Sequence, residues 1–138
     1  MEVVILNGSK QIGKLAADAI EELLRRKPGA VLGLATGSSP LPVYDELAAR
    51  HGREGLDFSR AQGFALDEYV GLPAGHPESY REVIRREFTS RVNIAPENVH
   101  SPDGTAADIP AACLAYEEAI AAAGGIDLQL LGDRKSVV

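Results

Sequence analysis

The sequence predicts an α/β fold, a Rossmann-like parallel sheet with helices on both faces. Three observations predict it. Short apolar runs suited to buried strands alternate with segments whose apolar residues recur at helical spacing. Glycine, proline and small polar residues punctuate the junctions. The repeated strand–helix order implies right-handed crossovers, and these build a parallel sheet covered on both sides. At 138 residues the chain is long enough for one domain with a core and too short for two.

Taken in order, Val3 to Leu6 is an apolar run suited to a buried strand, broken by Asn7-Gly8-Ser9. From Ser9 to Arg26 the residues Ile12, Leu15-Ala16, Ala19-Ile20 and Leu23-Leu24 recur at helical spacing. Arg25-Arg26-Lys27 put cations at that helix's C-terminus, where they complement its dipole, and Pro28-Gly29 stops it. A second buried strand, Val31 to Ala35, turns through Thr36-Gly37-Ser38-Ser39-Pro40 into a helix with Leu41, Tyr44 and Leu47-Ala48 at helical spacing. His51-Gly52 to Gly55 ends that helix, and Leu56 to Arg60 is a linker with Phe58 packed. Ala61 to Leu66 is a third strand with Phe64 and Leu66 inward, followed by a polar, proline-rich loop from Asp67 to Pro77. Glu78 to Arg91 is helical, with Tyr80, Val83-Ile84 and Glu87-Phe88 in register. Val92 to Thr105 is loop-like, and Val99-His100 within it is at most a very short strand. Ala107 to Ala123 is an alanine-rich helix ended by Gly124-Gly125, and Ile126 to Leu131 is a fourth buried strand. No helix follows to cover that part of the sheet, so the chain is expected to expose apolar surface.

Composition narrows the function classes. The net charge is −6 and the basic residues form no dominant patch, which argues against a nucleic-acid partner. No apolar segment is long enough to span a membrane, and the N-terminus lacks the pattern of a secretory signal. The single cysteine, Cys113, rules out an internal disulfide and fits a reducing compartment, most simply the cytoplasm.

Two stretches carry chemistry. The first is Ala30 to Asp45, AVLGLATGSSPLPVYD. A strand, a small-residue turn and a helix start in that order form an anion site, because the helix end is partly positive and the turn lets an anion approach the backbone. Ser38 and Ser39 are favoured helix N-terminal residues, and Pro40 sits where a first-turn proline is tolerated. The stretch matches neither the phosphate loop with a following Lys-Ser/Thr nor the dinucleotide fingerprint. By itself it also reads as an ordinary, well-capped turn.

The second stretch is Phe64 to Tyr80, FALDEYVGLPAGHPESY. Asp67 and Glu68 directly follow a strand, where a partly desolvated carboxylate can remove a proton beside a carbonyl; they also read as loop caps. Tyr69 and Tyr80 fit either a core or a pocket wall. His76, between Gly75 and Pro77, reads as a loop residue with nothing nearby to orient it. Ligands of open parallel sheets sit at strand carboxyl ends, so the Thr36–Ser39 turn and the Asp67 loop fall at one crevice.

Together, LGLATGSSPLPVYDEL and FALDEYVGLPAGHPESYREVIRREF resemble the glucosamine-6-phosphate deaminases, over about half of such a domain. The run Asp-Glu-Tyr-Val-Gly-Leu with His-Pro-Glu-Ser-Tyr separates that family from 6-phosphogluconolactonase, which shares the fold and a similar turn. The resemblance implies ring opening of glucosamine 6-phosphate, isomerisation and release of ammonia to give fructose 6-phosphate, without metal or organic cofactor. It implies that Thr36, Gly37, Ser38 and Ser39 bind the phosphate. It also implies that Asp67 is the enolisation base, moving a proton from C2 to C1. A homo-oligomer stays open, since the family includes hexamers and monomers.

After the fourth strand the family reads Gly-x-Gly-x-Asp-Gly-His-Ile-x-Phe-Asn-Glu-Pro, a loop whose Asp, His and Glu open the ring; here Leu130-Leu131-Gly132 is followed by Asp133-Arg134-Lys135-Ser136-Val137-Val138. The expected organisation is therefore a partial sugar-phosphate isomerase/deaminase domain over 1–132, incomplete at the C-terminus, and a tail over 133–138 that does not match. His51, His76 and His100 offer no natural substitute for the ring-opening acid, so the chain as given is expected to be an inactive fragment. The alternatives are a non-catalytic sugar-phosphate binding module and a lactonase-like hydrolase.

Overall fold

A computed structural model describes residues 1–132, and the tail at 133–138 lies outside the described residues. The described chain runs α1 (Ser9–Arg26), β1 (Val31–Leu34), α2 (Leu41–Glu54), β2 (Gln62–Ala65), α3 (Tyr80–Glu87), β3 (Val99–His100), α4 (Ile109–Ala122) and β4 (Leu128–Gln129). The four strands form one parallel sheet in the order β3-β2-β1-β4. The chain steps outward from β1 to β2 to β3, then crosses back to lay β4 on the other side of β1. The order therefore reverses between β1 and β4, the place where open sheets of this kind leave a crevice.

Register sorts the strand residues onto two faces. Leu32, Gly63, Val99 and Leu128 lie in one row, and Gly33, Phe64, His100 and Gln129 in the next. The first row belongs to the main core, where Leu32, Leu34 and Ala65 pack with Ala17, Ile20 and Leu24 of α1, Val43 and Leu47 of α2 and Ile84 of α3. The second row faces α4, where the Tyr116 ring meets Phe64 edge-on at 5.7 Å. Helices thus cover both faces, three on one and α4 on the other. Asp127 pins β4 to the start of β1, accepting from Val31 N at 2.8 Å and pairing with Lys27 Nζ at 2.9 Å.

Helices α1 and α2 pack closely because their contact uses small residues. A Cβ on Gly13 would come within 2.6 Å of the Pro42 carbonyl oxygen, so any side chain there would force the helices apart. Ala17 sits one turn on, fully buried. One guanidinium ties the pair together. Arg50, 9% exposed, meets Asp18 at 2.7 Å, Glu46 at 3.1 Å and Glu21 at 3.8 Å. Gly55 ends α2 in the left-handed region (φ +69), where a Cβ would add strain.

Several sequence expectations fail, each for a local reason. Val3 to Leu6 forms no strand, and Val3, Val4 and Ile5 are exposed. No described strand lies beside it, and an apolar run without a hydrogen-bonded neighbour has no sheet to join. Leu66 is 54% exposed: its N–H still donates to Leu34 O at 2.9 Å, but β2 ends at Ala65 and the Leu66 side chain emerges at the end of the sheet. The expected fourth strand is only Leu128–Gln129 and half-buried. The helix expected over Glu78–Arg91 breaks at Phe88, whose φ of −138° is not helical, and resumes as a 3₁₀ turn at Thr89–Arg91. On α1, Ile12 and Leu15 face outward, since the Gly13–Ala17 row makes the contact. The expected apolar exposure is present at Val3, Ile5, Leu114 and Leu131, and α4 buries none of its residues.

Two outcomes follow from these contacts. Arg50→Ala would remove the cation shared by Asp18, Glu46 and Glu21 and leave the two partly buried glutamates only the exposed Arg53 and Arg25, at a cost of about 2 kcal/mol. A urea melt checks this, and a loss under about 1 kcal/mol would count against a structural role for the network. Acid should also destabilise the fold. The Ser59 amide and hydroxyl, then Asn93, hold Asp57 down at about 2, against 3.8 unperturbed. A carboxylate depressed in the folded state contributes stability above its unfolded pKa and loses it as pH falls through the folded one. Stability should therefore decline between about pH 4 and pH 2, and Asp57→Asn should flatten that limb in a pH series of melts.

Candidate active site

The turn after β1 takes its shape from Gly37 and from two prolines. Gly37 has φ 105, a conformation that L side chains rarely adopt. Pro40 occupies the N-cap of α2 and Pro42 its first turn, so neither contributes an N–H. Leu41 N donates to Ser38 O at 3.3 Å, and Val43 N to Pro40 O at 3.0 Å. The helix's own first-turn donors are therefore already occupied or missing. The N–H groups of Gly37, Ser38 and Ser39 donate to no other described residue. Among the described residues, the N–H groups without a partner are thus in the turn itself, not in the helix beyond it. The serine hydroxyls do not cap α2 as the sequence suggested, and both side chains are exposed.

Ala35, the last residue before this turn, is buried, and both of its backbone polar groups meet one hydroxyl. Tyr44 OH donates to Ala35 O at 2.6 Å and accepts from Ala35 N at 3.1 Å. Burial pushes the Tyr44 phenol up to about 12, against the opposing pull of the Ala35 hydrogen bond, so it stays neutral across the physiological range. A comparable contact closes β2. Tyr116 OH donates to Ala65 O at 2.7 Å, two residues before Asp67, and lies 3.2 Å from His100 O. Burial first, then the charge of Glu117, raises the Tyr116 phenol above its usual range. Neither tyrosine is legible in sequence as a site residue. A phenol on the apolar face of a helix is the only signal, and it reads equally as core.

Glu68 organises the loop after β2. Its carboxylate accepts from Tyr69 N and Tyr80 N, both at 2.9 Å, and from Arg81 N at 3.0 Å. It caps α3, so the positive end of that helix already holds an anion. Ser79, the N-cap residue, accepts from Glu82 N at 3.3 Å. Tyr69 and Tyr80 stack obliquely, centroids 4.5 Å apart, with hydroxyls 3.2 Å from each other. Gly104 passes so close to the Tyr69 carbonyl that a Cβ there would collide with it, and Gly104 O accepts from Gly71 N at 2.8 Å.

Asp67 is exposed rather than partly desolvated, because the β2 ladder ends two residues before it. His76 does have an orienting partner, since its Nδ1 accepts from Glu78 N at 3.0 Å. That contact shapes the loop. His100 lies in β3, stacked on Phe64 at 4.6 Å.

The turn and the loop share a cavity of about 290 Å³, lined by Thr36, Gly37 and Leu41 on one side and Tyr69, Tyr80 and Glu78 on the other. Val83 and Glu87 of α3 complete it. Of the sequence-predicted residues, Thr36 and Gly37 line this space; Ser38, Ser39 and Asp67 do not. Two carboxylates in the cavity repel an anion, so an anion would fit best at the rim, by the turn N–H groups that no described residue takes. The exit of β4 reaches the same place, since a Cβ on Gly132 would lie 3.3 Å from Pro40 Cδ and 3.4 Å from Ser39 Cβ. A larger cleft of about 580 Å³ lies between the Glu68–Gly75 loop and Ser101–Thr105. It touches neither the Thr36 turn nor β4, away from the point where strand order reverses. Among the described residues, no cluster of three or more His, Cys, Asp and Glu is arranged to hold a metal, and no helix is long and apolar enough to cross a membrane.

Comparison with known proteins bears on the family and the fold. A glucosamine-6-phosphate deaminase of Arthrobacter sp. (strain FB24) is 85% identical over 132 residues, covering 96% of this chain and 51% of the relative. One from Mycolicibacterium smegmatis is 64% identical over the same coverage. The chain spans about half the length of the curated relatives it matches. A solved monomeric glucosamine-6-phosphate deaminase superposes with a TM-score of 0.92 at 35% identity, covering 96% of this chain and 55% of that one. A 6-phosphogluconolactonase of Thermotoga maritima superposes with a TM-score of 0.73 at 28% identity, covering 92% and 56%. A family model matches residues 8–133, and the chain belongs to that family, the glucosamine-6-phosphate isomerases/6-phosphogluconolactonase.

Proposed function

We propose that this chain carries the phosphate turn and the enolisation base of a glucosamine-6-phosphate deaminase. One observation supports the reading above the rest. The Gly37–Ser39 turn, whose N–H groups have no partner among the described residues, leaves β1 where the strand order reverses, and its Thr36–Gly37 entry shares a cavity with the tyrosines of the Asp67 loop. In this reading the turn holds the 6-phosphate, and the sugar extends toward Tyr69 and Tyr80. Asp67 removes the proton from C2 of the opened sugar and returns it to C1. The exchange passes through an enol, so one base serves both carbons. The exposed position of Asp67 gives it room to swing over the bound sugar. Glu68 holds the loop against α3 while it does so.

Ring opening needs a general acid within hydrogen-bond reach of the ring oxygen. The family's residues for that step follow β4 in a loop that this chain does not match, and no histidine in the chain replaces them. Residues 1–132 are thus read as a partial isomerase/deaminase domain, and 133–138 as a tail outside it. The cytoplasm is the location that fits the single Cys113 and a sugar-phosphate substrate. Neither nucleic acid nor membrane belongs to this reading, and a homo-oligomer is compatible with it. The lactonase reading is not favoured, since the deaminase structure superposes better and shares more identity.

The 138-residue chain should release no measurable ammonia from glucosamine 6-phosphate. A chimera continuing residues 1–132 into the second half of a curated relative should be active. Asp67→Asn in that chimera should cut kcat by about 10²–10⁴, the span typical of a general base. Turnover by the short chain, or full activity of the Asp67→Asn chimera, would refute the assignment. Binding gives a separate check. The short chain should bind fructose 6-phosphate in preference to fructose, and Ser39→Asp should weaken that binding about tenfold by placing a carboxylate at the anion position. Equal titration curves for the two sugars would contradict the turn's role.

A further inference from the structure

We propose that Tyr44 is a positioning residue for the phosphate turn, acting through Ala35 without touching the ligand. The proposal rests on the reading of the Thr36–Ser39 turn as the phosphate site. Ala35 lies past the end of β1, where the ladder stops, so its N–H and C=O have lost their strand partners. Both are buried, and a buried unpaired amide is costly. Tyr44 OH satisfies the two at once, donating at 2.6 Å and accepting at 3.1 Å. The peptide entering the turn is thereby held in one orientation. The next peptides carry the N–H groups of Gly37, Ser38 and Ser39.

The Tyr44 side chain is itself held firmly. It is 2% exposed, and its ring stacks on Phe88 at 4.8 Å with 13° between the planes. Phe88 in turn meets Phe58 edge-on at 5.6 Å. The ring is therefore seated in the core, while the two bonds to Ala35 aim the hydroxyl and hold the turn. Tyr44 also belongs to α2, the helix that the turn leads into, so the contact joins two residues nine positions apart and closes the loop between them. Hydrogen-bond donors bind an anion well only when they already point at it, and small misplacements are expensive. Removing the hydroxyl keeps the ring packing and frees the turn.

The test is Tyr44→Phe in the full 138-residue chain, titrated calorimetrically with fructose 6-phosphate and with fructose. Phe88→Leu serves as a control, since it loosens the same ring stack and keeps the hydroxyl. Tyr44→Phe should weaken fructose 6-phosphate about tenfold and leave fructose unchanged. Phe88→Leu should lower the melting temperature with less than about a twofold change in affinity. Equal weakening by the two variants, or none by Tyr44→Phe, would overturn the proposal. Ser39→Asp separates the two levels of the reading. If Ser39→Asp abolishes binding while Tyr44→Phe does not weaken it, the turn stands and Tyr44's role fails. If neither variant matters, the turn reading fails and the proposal falls with it. Amide exchange on the unmodified chain tests the brace even if Tyr44→Phe does not fold. The Ala35 N–H should be protected like those of β1, and exchange at the rate of the exposed Val70 loop would overturn the proposal.

Discussion

The site depends on how β1 ends. A parallel strand buried on both faces must hand its last backbone groups to something when the ladder stops, because no water reaches them. Here that constraint is met by one phenol. Tyr44 takes the N–H and the C=O of Ala35, so the chain leaves the core in a fixed direction at the residue before the turn. Gly37 then supplies the positive φ that reverses it. Two prolines start α2 without adding donors of their own, which leaves the N–H groups without a described partner in the turn. β2 ends by a related device, with Tyr116 on the Ala65 carbonyl and Glu68 clasping the loop to α3. Each strand that delivers a site segment is thus closed by a tyrosine hydroxyl from a helix.

Much of the fold was legible because it rests on local pattern. Helix α1 spans the very residues that its periodicity marked, and Arg25-Arg26 stand in its last turn. Phe58 is fully buried in the linker, and Val99-His100 is a two-residue strand. The failures share one cause, that a pattern states what a segment needs and not what stands beside it. Val3 to Leu6 has the composition of a strand and no described neighbour to pair with. Leu66 has the right alternation but lies one residue past the end of β2. Ser38 and Ser39 have the composition of caps, yet Pro40 takes the N-cap position.

The site was legible in the same uneven way. Thr36 and Gly37 and the tyrosines of the second stretch do meet around one cavity. Asp67 is at the strand exit expected of it but lies in water. Nothing in the sequence marks Tyr44 and Tyr116 as anything but core, because their partners are backbone atoms, which have no sequence signature. The acidic character of the cavity was equally hidden. Glu78 and Glu87 reach it only because α3 packs beside the turn.

The central claim is that the turn after β1 and the loop after β2 form a single sugar-phosphate site. Residue-resolved NMR on the ¹⁵N-labelled chain addresses it most directly, with amide shifts followed as fructose 6-phosphate is added. The account predicts that the largest shifts fall on Gly37, Ser38 and Ser39, with a second group on Tyr69 and Tyr80 saturating at the same concentration. Shifts confined to the Leu72–Gly75 and Ser101–Thr105 segments that line the larger cleft would contradict it.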